Sequence, residues 1–185
     1  FLRHDASNLP AFLYVLQEQE PKAFTAIERT IQSIAPYFKR FNLAPSKLSP
    51  DQISLVWEEQ NSDMYLDAQS LSDGTLRFIA LATLLLQPEP PKTIVIDEPE
   101  LGLHPAAIEK LSGLVRVASQ RGAQVLIATQ SSSLVSCFEP EDILVVERQD
   151  GSTVFSRPDK ERLASWLEDY SLGELWEKNL IGGKP

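Results

Sequence analysis

The sequence predicts an α/β fold in which helices flank a mostly parallel sheet, with a helical segment at its N-terminal end. After Ser70, short apolar runs alternate with stretches of helical periodicity, a pattern typical of parallel strands joined by crossover helices. The runs at 93–96 and 124–128 are largely apolar, as expected for strands covered on both faces. Before residue 35, apolar side chains recur instead at helical spacing.

Two helices are predicted at the start of the chain, over residues 8–19 and 21–35. Asn8 is a suitable cap for the first helix, and the proline that opens the second suits its first turn. A loop containing proline and serine follows at 43–51, and an alternating pattern at 53–59 predicts a half-buried strand. We interpret this region as scaffold.

The region after Ser70 is predicted to alternate between helices and strands. In chain order we expect a helix at 75–86, a strand at 93–96, a helix at 105–119, a strand at 124–128, a short helix from 131, a strand at 143–147 and a returning strand at 153–155. Asp150-Gly151 predicts the hairpin turn before that last strand. Two short amphipathic helices with Trp166, Leu167, Leu175 and Trp176 as apolar contacts complete the tail.

Composition narrows the classes of function. The 185 residues carry a formal net charge of -9, which argues against a broad nucleic-acid surface because phosphate binding needs clustered Lys and Arg. Lys39 and Arg40 form a small basic spot that we interpret as solvated surface charge. The single cysteine, Cys137, fits a reducing, cytoplasmic setting, and no apolar run reaches membrane-spanning length. Because the chain opens with Phe1 and its only methionine is Met64, we expect a fragment, a processed product or an engineered chain.

The strongest chemical signal is the apolar run that ends in Asp97 and Glu98. A strand of this kind places both carboxylates at the carboxyl edge of a parallel sheet, where open α/β folds bind ligands. Asp97 can then hold Mg²⁺, partly through water, and Glu98 can orient or deprotonate an attacking water. The alternative is a strand that runs into an acidic surface loop.

A second signal is the segment Leu71–Thr75 before an apolar helix. Ser72 can cap that helix, Gly74 lets another backbone approach, and the free N–H groups of the first turn suit an anion such as phosphate. The alternative is an ordinary capped helix.

Two further segments complete the pattern. Gly102 permits a tight turn, and Pro105 favours the first turn of the following helix. His104 can be a ligand or a base, although a turn residue with a structural contact is the simpler interpretation. The segment Ala128–Ser131 ends the next strand and is expected to bring a polar side chain to the same sheet edge as Asp97.

These four segments, in this order, resemble the C-terminal half of an ABC-type ATPase head of the soluble SMC/RecF/OLD-like group. In that comparison, Leu71–Thr75 resembles the signature motif, Thr93–Glu98 the Walker B strand, Glu100–His104 the D-loop and Thr129–Ser131 the switch segment. The resemblance covers about residues 70–148, where order and spacing agree together.

The resemblance implies roles for five side chains. Asp97 would contact the Mg²⁺ shell, Glu98 would activate water and Gln130 would sense the γ-phosphate of ATP. Ser72 and Gly74 would serve the nucleotide of a second head across a homodimer formed through ATP.

The resemblance also implies the organisation and setting of the protein. Residues 1–60 would be the end of a lid or insertion, 61–157 the C-terminal ATPase lobe and 158–185 a helical tail. Heads of this group usually act in DNA maintenance or defence, so DNA is an expected partner of the intact protein, and no membrane is expected.

Three departures from the family pattern are visible. No G-x-x-x-x-G-K-[ST] occurs, so the Walker A phosphate loop would have to come from an N-terminal lobe. Gln130 stands where the family usually has His, and Asp73 replaces the first glycine of the transporter signature. A rival hypothesis is therefore a non-catalytic interaction module derived from such an ATPase.

Overall fold

The structure is a computed structural model that describes residues 2–45 and 52–183. It confirms the α/β class, with helices packed against small sheets. The chain divides into two compact units, Phe1–Leu126 and Ile127–Pro185, which are considered separately below. The divisions at residues 60 and 157 remain a prediction from sequence.

The first unit opens with two helices that pack on each other, α1 (Leu9–Gln19) and α2 (Pro21–Ile34). Asn8 occupies the N-cap position of α1, but its Oδ1 accepts a hydrogen bond from the backbone N–H of Arg3 at 2.8 Å rather than capping the helix. The apolar faces of both helices join one core, whose fully buried members include Leu13, Ile27 and Ile31.

An antiparallel sheet follows the helices, formed by β1 (Phe38–Phe41), β2 (Val56–Glu59) and β3 (Tyr65–Asp67). Sequence periodicity identified β2 and missed the other two strands. The predicted loop at 43–51 lies mostly outside the described residues. The sheet therefore adds two antiparallel strands to a region in which we expected a helical pair and a single strand.

The basic spot at Lys39 and Arg40 has a partner in this sheet. Glu58 is buried, and its carboxylate is 3.2 Å from Lys39 Nζ and 2.9 Å from Arg40 Nη2. The two cationic side chains remain partly exposed, as predicted, but they belong to an ion-pair cluster and are not isolated surface charges.

The central elements agree closely with the predicted ones: α3 (Asp73–Leu86), β4 (Thr93–Asp97), α4 (Pro105–Gln120) and β5 (Gln124–Ala128). Helix α3 is the centre of the first unit and packs on both α2 and α4. Its apolar side chains Phe78, Ile79 and Leu85 are fully buried. This packing fixes the start of α3, where the signature-like segment lies.

Strands β4 and β5 form the parallel part of the fold. The prediction that both faces of these strands are covered is wrong. Ile94 is buried, whereas Val95 is 74% exposed and Leu126 is 49% exposed. The sequence of both strands is nevertheless apolar on each face, so one face of this strand pair is an apolar surface that residues 2–45 and 52–183 leave exposed at Val95 and Leu126.

The second unit contains α5 (Ser132–Val135), the hairpin of β6 (Val145–Gln149) and β7 (Ser152–Ser156), and the short helices α6 (Lys160–Leu163) and α7 (Leu172–Glu177). The turn residues Asp150 and Gly151 both have positive φ, as a two-residue hairpin turn requires. Leu175 is buried as predicted, but Trp166 lies outside the helices and is 46% exposed. Among the described helices of either unit, none is long and apolar enough to span a membrane.

Candidate functional site

The signature-like segment forms the capped start of α3. Ser72 has extended backbone angles, and its Oγ accepts a hydrogen bond from the backbone N–H of Thr75 at 3.1 Å. The cap predicted for Ser72 is therefore confirmed. Leu71 is buried and anchors the preceding turn, while Ser72 and Asp73 face solvent. The N–H group of Thr75 is satisfied by this cap, and the positive end of the helix dipole lies beside the exposed Ser72 and Asp73.

Gly74 faces the turn that precedes α4. A Cβ added to Gly74 would lie 2.1 Å from the carbonyl oxygen of Gly102, a distance that no side chain tolerates. Gly102 itself has a φ of +76°, which favours glycine. The prediction that Gly74 admits another backbone is correct, and that backbone belongs to the same molecule. The signature-like and D-loop-like segments are in direct contact as a result.

The two acidic residues at the end of β4 differ in backbone conformation, which the sequence did not indicate. Asp97 is the last strand residue and is exposed. Glu98 lies beyond the strand with a φ of +43°, so its direction follows from a left-handed backbone and not from strand alternation. Such a backbone costs on the order of 1–3 kcal/mol in a residue other than glycine and tends to occur at functional sites.

Arg77 on α3 contacts this strained position. Its Nη1 donates a hydrogen bond to the backbone carbonyl of Glu98 at 3.2 Å. The signature-like helix therefore touches both the D-loop-like turn, through Gly74, and the end of the Walker B-like strand, through Arg77. The sequence placed these segments in one family pattern, but it gave no indication that Arg77 joins them.

His104 has a structural role. It is the N-cap of α4, and its Nδ1 accepts a hydrogen bond from the backbone N–H of Ala106 at 3.3 Å. The interpretation of His104 as a turn residue is confirmed.

A small cavity of about 120 Å³ lies between the start of α3 and the turn at Gly102. Ligand pockets generally measure about 300–1,000 Å³, so this cavity is too small to enclose a nucleotide. Its polar lining comes from Ser72, Thr75 and His104. The segments 71–77 and 97–105 carry four carboxylates, of which only that of Glu100 is buried, and a single guanidinium, so a polyphosphate would meet an acidic surface here unless cations accompany it.

The carboxylates near the end of β4 determine how this site could bind Mg²⁺. Among residues 2–45 and 52–183, no group of three or more His, Cys, Asp or Glu side chains is arranged to hold a metal ion. One exposed carboxylate, that of Asp97, nevertheless fits an ion that keeps much of its water shell and takes other ligands from phosphate oxygens. The carboxylate therefore suits a Mg²⁺ site whose remaining ligands are water and phosphate oxygens, and not a site formed by protein ligands alone.

The switch-like segment lies in the second unit. Thr129 Oγ1 accepts a hydrogen bond from the backbone N–H of Ser131 at 3.0 Å, and Ser131 Oγ accepts one from Leu134 at 3.3 Å. These contacts cap α5 and leave the side chain of Gln130 exposed. The expected meeting of Gln130 and Asp97 at one sheet edge remains a prediction.

Comparison with known proteins places this pattern in a family. The family described as "AAA domain, putative AbiEii toxin, Type IV TA system" matches residues 5–136. Old nuclease of Escherichia phage P2 is 30% identical over 127 residues, which cover 63% of this chain and 22% of that protein. Phosphate import ATP-binding protein PstB 2 of Listeria monocytogenes serotype 4b (strain F2365) is 24% identical over 167 residues, which cover 85% of this chain and 59% of that protein. The chain therefore spans only part of each relative's length.

Solved structures show the same fold. A chain from a structural study of ATP-driven dimerization and DNA-stimulated activation of SMC ATPases aligns with a TM-score of 0.60 and 15% identity, covering 85% of this chain and 96% of that one. The Smc head domain of Pyrococcus furiosus bound to the C-terminal domain of ScpA aligns with a TM-score of 0.62 and 16% identity, covering 85% of this chain and 39% of that one. At these identities the likeness is one of fold.

Proposed function

We propose that this chain, which belongs to the AAA domain family that matches residues 5–136, is the C-terminal half of an ATPase head that binds and hydrolyses ATP and dimerises on it. The observation that carries the proposal is the contact between Gly74 and the carbonyl of Gly102. It joins the signature-like start of α3 to the D-loop-like turn, beside the strand that ends in Asp97 and Glu98.

Hydrolysis is assigned to the end of β4. Glu98 is half-buried and held in a left-handed backbone conformation, which suits a base that must point at one water molecule. Exposed Asp97 would hold Mg²⁺ through its water shell, and when bound this ion neutralises charge on phosphate oxygens. Gln130 would donate a hydrogen bond to the γ-phosphate, because an amide cannot accept a proton at neutral pH.

The phosphate loop is assigned to a second lobe. The uncovered apolar face of β4 and β5, with Val95 and Leu126 exposed, supports the docking of such a lobe beside the catalytic acids. An N-terminal lobe with a Walker A sequence would cover this face and supply the lysine that the acidic segments here lack.

Dimerisation through ATP is assigned to Ser72. Its hydroxyl is exposed at the N-terminus of a fourteen-residue helix, where backbone N–H groups favour an anion. A phosphate held by the second head would complete this half-site. By similarity to Old nuclease and to SMC heads, the process served is DNA maintenance or defence, with DNA contacts elsewhere in the protein.

A non-catalytic interaction module is the alternative, and the acidic surface beside a cavity of only about 120 Å³ favours it. Calorimetry with ATP and Mg²⁺ separates the two functions. This chain alone should bind no ATP in the micromolar range, whereas the protein that includes a Walker A lobe should bind it tightly. If the full-length protein also fails to bind ATP, the chain is an interaction module.

A further inference from the structure

Three hydroxyl groups form a chain that ends at the exposed serine of the signature-like segment. Tyr37 Oη lies 3.2 Å from Thr75 Oγ1, which in turn lies 2.9 Å from Ser72 Oγ. Thr75 is buried, whereas Ser72 faces solvent. Tyr37 is 38 positions away from Thr75 in sequence and belongs to the segment between α2 and β1. The chain therefore links the antiparallel sheet region to the start of α3.

The position of Tyr37 is fixed by its neighbours. Its ring makes an edge-to-face contact with Trp57, with centroids 5.8 Å apart. Trp57 is buried, and its indole N–H donates to Asp67 O at 3.0 Å and to Ser70 Oγ at 3.1 Å. The phenolic hydroxyl is consequently held against Thr75 by a rigid support.

The valence of each hydroxyl limits how this chain is oriented. A serine hydroxyl has one donor and two acceptor sites, and Ser72 Oγ already accepts from the backbone N–H of Thr75. If Ser72 donates to Thr75, its proton is consumed inside the protein. If Thr75 donates to Ser72, both acceptor sites of Ser72 are filled. The hydroxyl proton of Ser72 must then point to an acceptor outside the three hydroxyl groups.

The phenol favours the second orientation. A phenolic hydroxyl has a pKa of about 10 and is more acidic than an aliphatic hydroxyl, so it is the stronger hydrogen-bond donor. When Tyr37 donates to Thr75, the proton of Thr75 is available to Ser72. Each hydrogen bond in such a chain polarises the next one.

We infer that Tyr37 is a positioning residue that acts through Thr75 to set Ser72 as a donor toward an external anion. The inference rests on the proposed function, in which that anion is a phosphate of the nucleotide held by the second head. Tyr37 does not touch the phosphate. It selects the direction in which the Ser72 hydroxyl donates, and thereby regulates how strongly the half-site accepts its partner.

The test measures the ATP-dependent dimerisation constant of the full-length protein by sedimentation over a wide range of concentrations. Tyr37→Phe removes only the hydroxyl and should weaken dimerisation about threefold to tenfold, the effect of one lost hydrogen bond. Thr75→Val should have a similar effect, and Thr75→Ser, which keeps the hydroxyl, should restore the wild-type constant. Tyr14→Phe on α1 is the matched control and should dimerise as wild type does.

A double-mutant cycle with Ser72→Ala decides whether Tyr37 acts through Ser72. Ser72→Ala should weaken dimerisation about tenfold to a hundredfold, as expected for a hydrogen bond to a charged group, and Tyr37→Phe should then add nothing. If Tyr37→Phe alone is without effect, or is equally costly in both backgrounds, the positioning role is refuted while the proposed function stands. If Ser72→Ala itself leaves dimerisation unchanged, the phosphate contact is refuted and the positioning role with it.

Discussion

The backbone of Gly74 lies so close to the carbonyl oxygen of Gly102 that an added Cβ would be 2.1 Å from it. Gly74 lies in the first turn of the signature-like helix, and Gly102 forms the left-handed turn of the D-loop-like segment. Because the contact is made within one molecule, the segment that we propose faces a second head and the segment beside the proposed catalytic acids are fixed to each other. A displacement of either segment should therefore displace the other.

Gly74→Ala should therefore destabilise the protein. Overpacking against backbone generally costs about 1–3 kcal/mol, and here the obstructing atom is a carbonyl that cannot move without the turn. Gly113→Ala is a matched control, because Gly113 lies inside α4 with nothing within 4 Å of an added Cβ. That change should instead stabilise by about 0.5–1 kcal/mol. Urea denaturation gives the unfolding free energies of Gly74→Ala and Gly113→Ala. Equal values for the two variants would contradict the close contact.

The same contact limits what larger substitutions at Gly74 can show. An arginine there would collide with Gly102 before it reached a second head. Loss of dimerisation in Gly74→Arg would thus report damage to the turn, and the phosphate contact is better tested at Ser72, whose side chain is exposed.

Glu98→Gln in the full-length protein should lower ATP turnover about 10²- to 10⁴-fold, the usual cost of losing a general base. ATP binding should persist, because Asp97 is unchanged and Arg77 holds the backbone carbonyl of Glu98, which the substitution does not alter. Steady-state hydrolysis and equilibrium ATP binding measured on one preparation separate the two effects. Near-normal turnover would show that the base lies elsewhere.

Val95→Asp should prevent association with the Walker A lobe while leaving this chain folded. Val95 is 74% exposed, so the substitution should change the unfolding free energy of the isolated chain by no more than about 0.5 kcal/mol. Burying a valine stabilises by about 1.5–3 kcal/mol, and a carboxylate in its place would have to be desolvated. Val146→Asp, at a valine that is 49% exposed in the second unit, is the control.

Co-purification of the two lobes provides the measurement for Val95→Asp. Recovery of the Walker A lobe should fall for this variant and not for Val146→Asp. Equal recovery with both variants would show that the uncovered face of β4 and β5 is not the docking surface.

Glu58 should contribute a component of the stability that depends on pH. The hydrogen bond from Arg40, with a further contribution from Lys39, holds the pKa of Glu58 below its ordinary value of 4.5. The folded state then binds this proton more weakly than the unfolded state, so the stabilisation is present above pH 4.5 and is lost as the pH falls below it. Unfolding free energies measured through this window should decline less steeply in Glu58→Gln than in the wild type. Parallel curves would contradict the assignment.

The parts of the fold that sequence predicted are those with local causes. Helix α3 follows the capping residue Ser72, helix α4 opens with Pro105, and β5 is a short apolar run between turns. Each signal lies within the element that it predicts or immediately before it. Consequently the order and approximate bounds of the central elements could be derived without knowledge of tertiary contacts.

The parts that sequence missed depend on distant partners. Strands β1 and β3 lack an alternating apolar pattern like the one at 53–59, and they exist because β2 pairs with both of them. The hydrogen bond from Arg77 to Glu98 and the contact of Tyr37 with Thr75 join residues far apart in the chain. The exposed face of β4 was missed for the opposite reason, because its apolar pattern predicts a cover, whereas Val95 is exposed among the residues that the structure describes.

The central claim is that Ser72 meets a phosphate held by a second head, and Ser72→Asp tests it most directly. Aspartate caps a helix about as well as serine does, so the unfolding free energy should stay within about 0.5 kcal/mol of the wild type. An added carboxylate would face the phosphate, however, and ATP-dependent dimerisation of the full-length protein should be abolished. Ser72→Asn introduces a capping side chain of the same size as aspartate without its charge, and this variant should retain part of the ATP-dependent dimerisation. If Ser72→Asp dimerises on ATP as the wild type does, Ser72 is only a helix cap and the claim is wrong.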